Sequence, residues 1–183
     1  MSGDNYKIAD QQEVYFLTFT VVNWIDIFTR KDYKIIITDS LNFCIEKKGL
    51  EVFAYVIMSN HVHLIARAKE GFSLSDIIRD LKKFTSKEIT TKILEIGESR
   101  REWLLDKFAF EAQRIGRATY YKLWRDDNHA ICLKETDWIL QRLNYIHQNP
   151  VRQMIVSNPE DYIFSSAIDY ADGKGVVNIT KII

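Results

Sequence analysis

The apolar positions of this chain alternate between strand-like and helix-like spacing, and that alternation predicts its elements. Val14 to Val22 is nearly continuous in β-branched and aromatic residues, long enough for a strand buried on at least one face. After Thr29, Ile37, Leu41, Cys44, Ile45 and Lys48 recur on one helical side, and Gly49 stands where a left-handed C-cap would end that helix. Glu51 to Met58 and His61 to Ala68 are apolar runs parted by Ser59-Asn60, which reads as a tightly joined strand pair. Strand, helix, strand, strand opens a split β-α-β sandwich, an α/β (α+β) fold with helices on one sheet face and the other face free for a site.

Ser73 and Asp76 make a start like a capping box, after which Leu74, Ile77, Ile78, Leu81 and Phe84 repeat at helical spacing. A short helix follows over Glu98 to Ala112, with Trp103, Leu104 and Phe108 as its apolar side, and a polar, basic, mobile stretch over Gln113 to Thr119. Tyr120 to Arg125 has strand composition and is expected to supply the fourth strand, with Asp126-Asp127-Asn128 turning the chain. Thr136 caps a last long helix through Trp138, Ile139, Leu143 and Ile146, which stops at Asn149 because a residue before proline is biased out of helical geometry. Asp172 to Ile183 reads as a loop around Gly173 and Gly175 with room for an extra strand.

Composition narrows the class. The chain has 183 residues, the size of one domain, and carries 25 basic and 25 acidic side chains, which argues against coating nucleic acid by bulk charge. A local basic patch stays open: Arg79, Lys82, Lys83 and Lys87 recur at three- and four-residue steps, either a solvated face or a ridge for phosphates. Cys44 and Cys132 are too few for a disulfide framework, and the N-terminus has no signal-like segment, so a cytoplasmic protein without a membrane span is expected.

The candidate chemistry sits at His61-Val62-His63. Strand alternation sends both imidazoles to one face, a geometry suited to one metal ion, although paired histidines also occur as structural filler. Tyr145 and Asn149 lie four apart on the last helix and share a face; alone, they read as packing and a helix stop. Clustered aromatics beside Arg125 either stack unpaired bases or pack as buried strand residues. His129 and His147 are expected at the surface. Ile65 stands where a histidine-triad hydrolase would have its third alternating histidine.

Tyr55-Val-Ile-Met-Ser-Asn-His61-Val-His63-Leu-Ile65, taken with Tyr145-Ile-His-Gln-Asn149-Pro-Val151 and with Tyr162-Ile-Phe-Ser-Ser166, resembles the HUH-type tyrosine transposases, most closely the REP-associated tyrosine transposases. The resemblance spans roughly Val14 to Tyr170. It implies a ferredoxin-like sandwich forming a single domain over 1–183, with a helical insertion around 98–119. It further implies Mg²⁺ or Mn²⁺ on His61, His63 and Asn149, and Tyr145 as the nucleophile. The activity it implies is nicking and rejoining of hairpin-bearing single-stranded DNA through a 5′-phosphotyrosine. Arg79, Lys82, Lys83, Lys87 and Arg125 are then the candidate backbone contacts. Whether the site is built within one chain or across a homodimer is left open. The competing readings are a hairpin-binding module that no longer cuts, and a metal-dependent hydrolase that uses water.

Overall fold

Residues 7–116 and 120–182 are described, from a computed structural model of the chain. The two runs of β-formers around Ser59-Asn60 become β2 (Leu50–Ile57) and β3 (His61–Ala68), and the first run becomes β1 (Tyr15–Thr20). β1 lies antiparallel to β3, with Leu17 opposite Leu64, Thr18 opposite His63 and Thr20 opposite His61. A short β4 (Ile131–Cys132) joins the far side of β1, giving the antiparallel order β2-β3-β1-β4 of a ferredoxin-like sheet.

Period-two alternation then divides the strands between two cores. Tyr15, Leu17, Phe19, Tyr55, Val62 and Leu64 face the larger one, roofed by α1 (Lys31–Lys47), α2 (Leu74–Glu95) and α3 (Arg101–Ile115). Phe16, Ala54, Val56 and Ile65 face a smaller one closed by Leu143 and Ile146 of α4 (Thr136–Arg152) and by Tyr162. The second sheet face is therefore not free, as the element order suggested, because α4 packs its apolar stripe there. β2 carries a bulge between Val52 and Ala54 that puts both Phe53 and Ala54 into the smaller core.

The caps follow the sequence. Gly49 takes φ +68° just after α1, and the Phe72 ring fills the space where a Cβ would project. The Ser73 hydroxyl accepts from the Asp76 N–H at 3.2 Å to open α2.

Four further expectations need correction. Phe84 is exposed, because it falls just outside the stripe of α2 that meets the core. Tyr120 to Arg125 forms no continuous strand: Trp124 makes an isolated bridge to Val21, flanked by Val22 N–H to Leu123 O (2.8 Å) and Arg125 N–H to Thr20 O (2.9 Å), while Ile131 and Cys132 pair with Tyr15 and Phe16 at the other end of the edge. α4 runs through Pro150 to Arg152, since a missing proline N–H costs one bond in a last turn that Asn149 and Pro150 bury. Its N-cap is Glu135 rather than Thr136, and makes no side-chain cap bond. Of the stretch expected to be mobile, residues 117–119 lie outside those described.

The Tyr162–Ser166 segment seals the outer edge of β2. Ile57 N–H donates to Phe164 O (2.9 Å), Ser166 N–H to Tyr55 O (3.0 Å), and Tyr55 N–H to the Ser166 hydroxyl (3.0 Å). Tyr162 caps the arrangement, its hydroxyl donating to Ile57 O at 2.7 Å. An edge that would otherwise template aggregation is thus paired internally. Further along, Thr180 N–H donates to Val52 O at 2.8 Å, but no strand forms there among the described residues.

Candidate active site

β3 presents His61 and His63 on the face that α4 covers, and their ring centroids are 4.6 Å apart. The Tyr145 ring meets His63 edge-on at 5.2 Å, and Phe16 of β1 stacks on His63 at 5.1 Å. Two motifs far apart in the chain converge because α4 docks its apolar side on the strand pair that carries the histidines.

Each imidazole is oriented through Nδ1. His61 Nδ1 lies 2.6 Å from Asn60 Oδ1; a carboxamide oxygen only accepts, so Nδ1 carries the proton and Nε2 keeps its lone pair. His63 Nδ1 lies 2.9 Å from the Thr18 hydroxyl, supplied by the residue directly opposite on β1. His63 Nε2 is buried without a hydrogen-bond partner, in a side chain only 6% exposed. Such an orphan is rare and calls for an explanation. Burial lowers the pKa of both rings, that of His63 to about 3 with help from the charges of His61, Arg142 and His129. Both are therefore neutral near pH 7, the form that binds metal.

Among the described residues no cluster of three His, Cys, Asp or Glu side chains forms, so a cation here needs another kind of third donor. Asn149 offers one. It is buried, 7% exposed, one turn beyond Tyr145 on the same helical face, and no hydrogen bond engages its amide among the described residues. Two neutral imidazoles, one with an orphaned ring nitrogen, and a free carboxamide are donors that fit a divalent cation retaining open positions.

A comparison with family models matches residues 12–119 to that described as "Transposase IS200 like". The chain belongs to the IS200-like transposase family. The match includes His61 and His63 and ends before α4. Among solved structures, this transposase is similar to a REP-associated tyrosine transposase bound to a REP hairpin. The TM-score is 0.63 at 17% identity, over 97% of this chain and 91% of that one, a likeness of fold. A protein of Deinococcus radiodurans R1 assigned as a transposase is also similar, with TM-score 0.45 and 18% identity over 80% of this chain and 95% of that one. A comparison with curated proteins finds no match.

The basic ridge of this transposase stands elsewhere. The apolar stripe of α2 roofs the opposite sheet face, so Arg79, Lys82, Lys83 and Lys87 are not brought to Tyr145. Arg79 pairs with Asp76 and Asp80. Lys82 is tied to Arg125 O and to Asn128 Oδ1 (2.8 Å), and burial pulls its pKa down to about 8. Arg125 lies 3.4 Å from Asp127 and over the ring of Trp24. His147 is not a surface residue. Its Nε2 meets the Ser166 hydroxyl at 3.0 Å, and burial lowers its pKa to about 4.

Two cations at the cleft escaped the sequence reading. Arg142 lies 4.9 Å from the Phe16 ring centroid and Arg152 5.5 Å from that of Tyr145, and with Gln141 and Asn144 they line a cavity of about 360 Å³. Neither forms an ion pair among the described residues. The signal was present: Arg142, Tyr145, Asn149 and Arg152 follow at steps of three, four and three, one face of a helix.

Proposed function

We propose that this chain is a metal-dependent single-stranded DNA endonuclease and strand transferase, with Tyr145 as nucleophile and hairpin-associated sites as substrate. The observation that carries the reading is the contact of the Tyr145 ring with His63, itself beside His61 and left with an orphaned Nε2.

In this reading His61, His63 and Asn149 hold Mg²⁺ or Mn²⁺. When bound there, a divalent cation would supply Lewis-acid polarisation of the phosphate. Arg142 and Arg152, free of carboxylates, grip the phosphodiester along α4 and hold it in line with the phenol. Tyr145 gives up its proton to solvent through the open cleft, and its oxygen bonds to phosphorus. The P–O3′ bond breaks, and the departing O3′ takes a proton from solvent, leaving a 5′-phosphotyrosine and a free 3′-hydroxyl. One phosphoester replaces another, so the hydroxyl of a second strand end can reverse the step and join strands without an external energy source. Thr18 and Asn60 fix the two imidazoles so that Nε2 of each faces the site. Tyr145 and His63 meet within one chain, which supports a site complete in each protomer. Lys83 and Lys87 remain available to DNA beyond the cleft, Arg125 would reach it by leaving Asp127, and the whole of 1–183 works as one cytoplasmic domain with residues 98–119 inserted.

Incubation with labelled, hairpin-bearing single-stranded DNA and Mn²⁺, followed by denaturing electrophoresis, tests the assignment. Wild-type protein should retain label covalently and Tyr145→Phe should retain none. Cleavage with no adduct in the wild type would refute the nucleophile, and strand retention without cleavage would reduce the protein to a binding module.

A further inference from the structure

Trp24 is 59% exposed, although it belongs to the loop that braces the catalytic strand pair. Its backbone is held in an unfavourable state: Asn23 and Trp24 take φ of +54° and +55°, which non-glycine residues rarely adopt. Three bonds maintain it. Trp24 N–H donates to Val21 O at 3.1 Å, Asn60 Nδ2 to Trp24 O at 3.3 Å, and Asn23 Nδ2 to Glu111 Oε1 at 3.3 Å. The same Asn60 accepts from His61, so a single carboxamide positions both the Trp24 turn and an imidazole of the site. Val21 N–H to Asn60 O (2.9 Å) and Phe28 N–H to Ser59 O (2.8 Å) staple the rest of the loop to that turn.

Val22 and Ile25 on either side of the turn enter the larger core, but the Trp24 ring does not. Trp124, by contrast, is buried with its indole N–H on Thr85 Oγ1 at 2.9 Å, as packing requires. Trp24 instead projects its ring outward, with the Arg125 guanidinium 5.8 Å from the ring centroid. A flat π surface beside a cation matches the two parts of a nucleotide, the ring accepting a base and the guanidinium exchanging its Asp127 partner, 3.4 Å away, for the adjoining phosphate.

We propose that Trp24, with Arg125 on its ring, is a stacking platform for one unpaired nucleobase of the strand whose phosphodiester reaches Tyr145. Stacking that base fixes the position of the strand relative to the cleft, through Asn60, which is shared with His61. The inference rests on the nicking reading and adds the subsite that sets where along the strand attack occurs.

The test measures binding of the full chain to a labelled DNA hairpin with unpaired flanks, each flank nucleotide in turn replaced by an abasic sugar-phosphate. Wild-type protein should lose about tenfold in affinity at one position, the scale of one base–aromatic stack. Trp24→Ala should lose about tenfold on the intact strand and nothing further at that position, and Trp24→Phe should retain most of the affinity. Thermal unfolding should be unchanged in both, because the ring is exposed. Trp24→Ala binding like wild type, or keeping the abasic penalty, overturns the platform while leaving nicking intact if wild type still forms its covalent adduct. Wild-type protein that binds no such strand overturns both.

Discussion

Thr18→Val isolates the part of the site that owes nothing to substrate. Valine keeps the shape and β-propensity of threonine, so the strand and the packing of β1 on β3 persist, and only the 2.9 Å contact to His63 Nδ1 is removed. His63 already has one unpartnered ring nitrogen; the substitution leaves it with two in a buried ring. A net hydrogen bond is worth about 1 kcal/mol, and an abandoned buried donor or acceptor costs about 1–3 kcal/mol, so metal-free protein should lose about 2 kcal/mol. With its partner gone the ring can also rotate about its side-chain bonds, and loss of such an orienting partner weakens metal binding about 10–100-fold. Urea unfolding in EDTA measures the first effect and calorimetric titration with Mn²⁺ the second. Thr18→Ser, which keeps the hydroxyl, should recover most of both. If Thr18→Val unfolds within about 0.3 kcal/mol of wild type and binds Mn²⁺ equally well, the hydroxyl does not orient His63.

Other consequences follow from the same geometry. Arg142→Ala and Arg152→Ala should each weaken single-strand binding and reduce the slope of log affinity against log salt by about 1, whereas Arg79→Ala, already paired with two aspartates, should change neither much. Ser166→Ala strips partners from Tyr55 N–H and His147 at the sealed edge of β2, and should cost about 2–4 kcal/mol by urea unfolding. Stability of metal-free protein should also fall with acid. Above the ordinary imidazole pKa of about 6.5 neither state binds the proton; below it the unfolded chain protonates first. Stability is then lost until the folded-state values of about 4 for His147 and about 3 for His63 are reached. Between pH 7 and pH 5 the loss should be about 1–2 kcal/mol per histidine, and His147→Gln should flatten the profile.

The strand pair, α1 with its Gly49 stop and α2 with its Ser73 cap were legible because each is encoded locally, by periodicity and by a side chain that satisfies a nearby backbone group. The fourth strand was misread for the opposite reason. Tyr120 to Arg125 has better β-formers than Ile131-Cys132, but a strand exists only where a partner edge is available. The outer edge of β1 is shared: Leu123 to Arg125 reach its far end through one bridge and two backbone bonds, and Ile131-Cys132 pair with Tyr15 and Phe16 at its start. Composition carries no information about which of two candidates reaches an edge first.

The site divides along the same line. His61 and His63 lie on one face by strand geometry alone, and Tyr145 and Asn149 on one face by helix geometry alone; the resemblance to a family, not the spacing, brought the two faces together. Once α4 is known to dock on β3, the face that carries Tyr145 meets the cleft, and Arg142 and Arg152 come with Tyr145 whether or not they were sought. The ridge of α2 attracted attention because it is dense in charge, yet its own apolar stripe commits it to the other side of the sheet. Charge density shows only that a helix face meets water. The position of that face relative to the nucleophile is set by the opposite, hydrophobic side, so in a two-faced sheet the apolar stripes decide which cations can touch a phosphate at Tyr145.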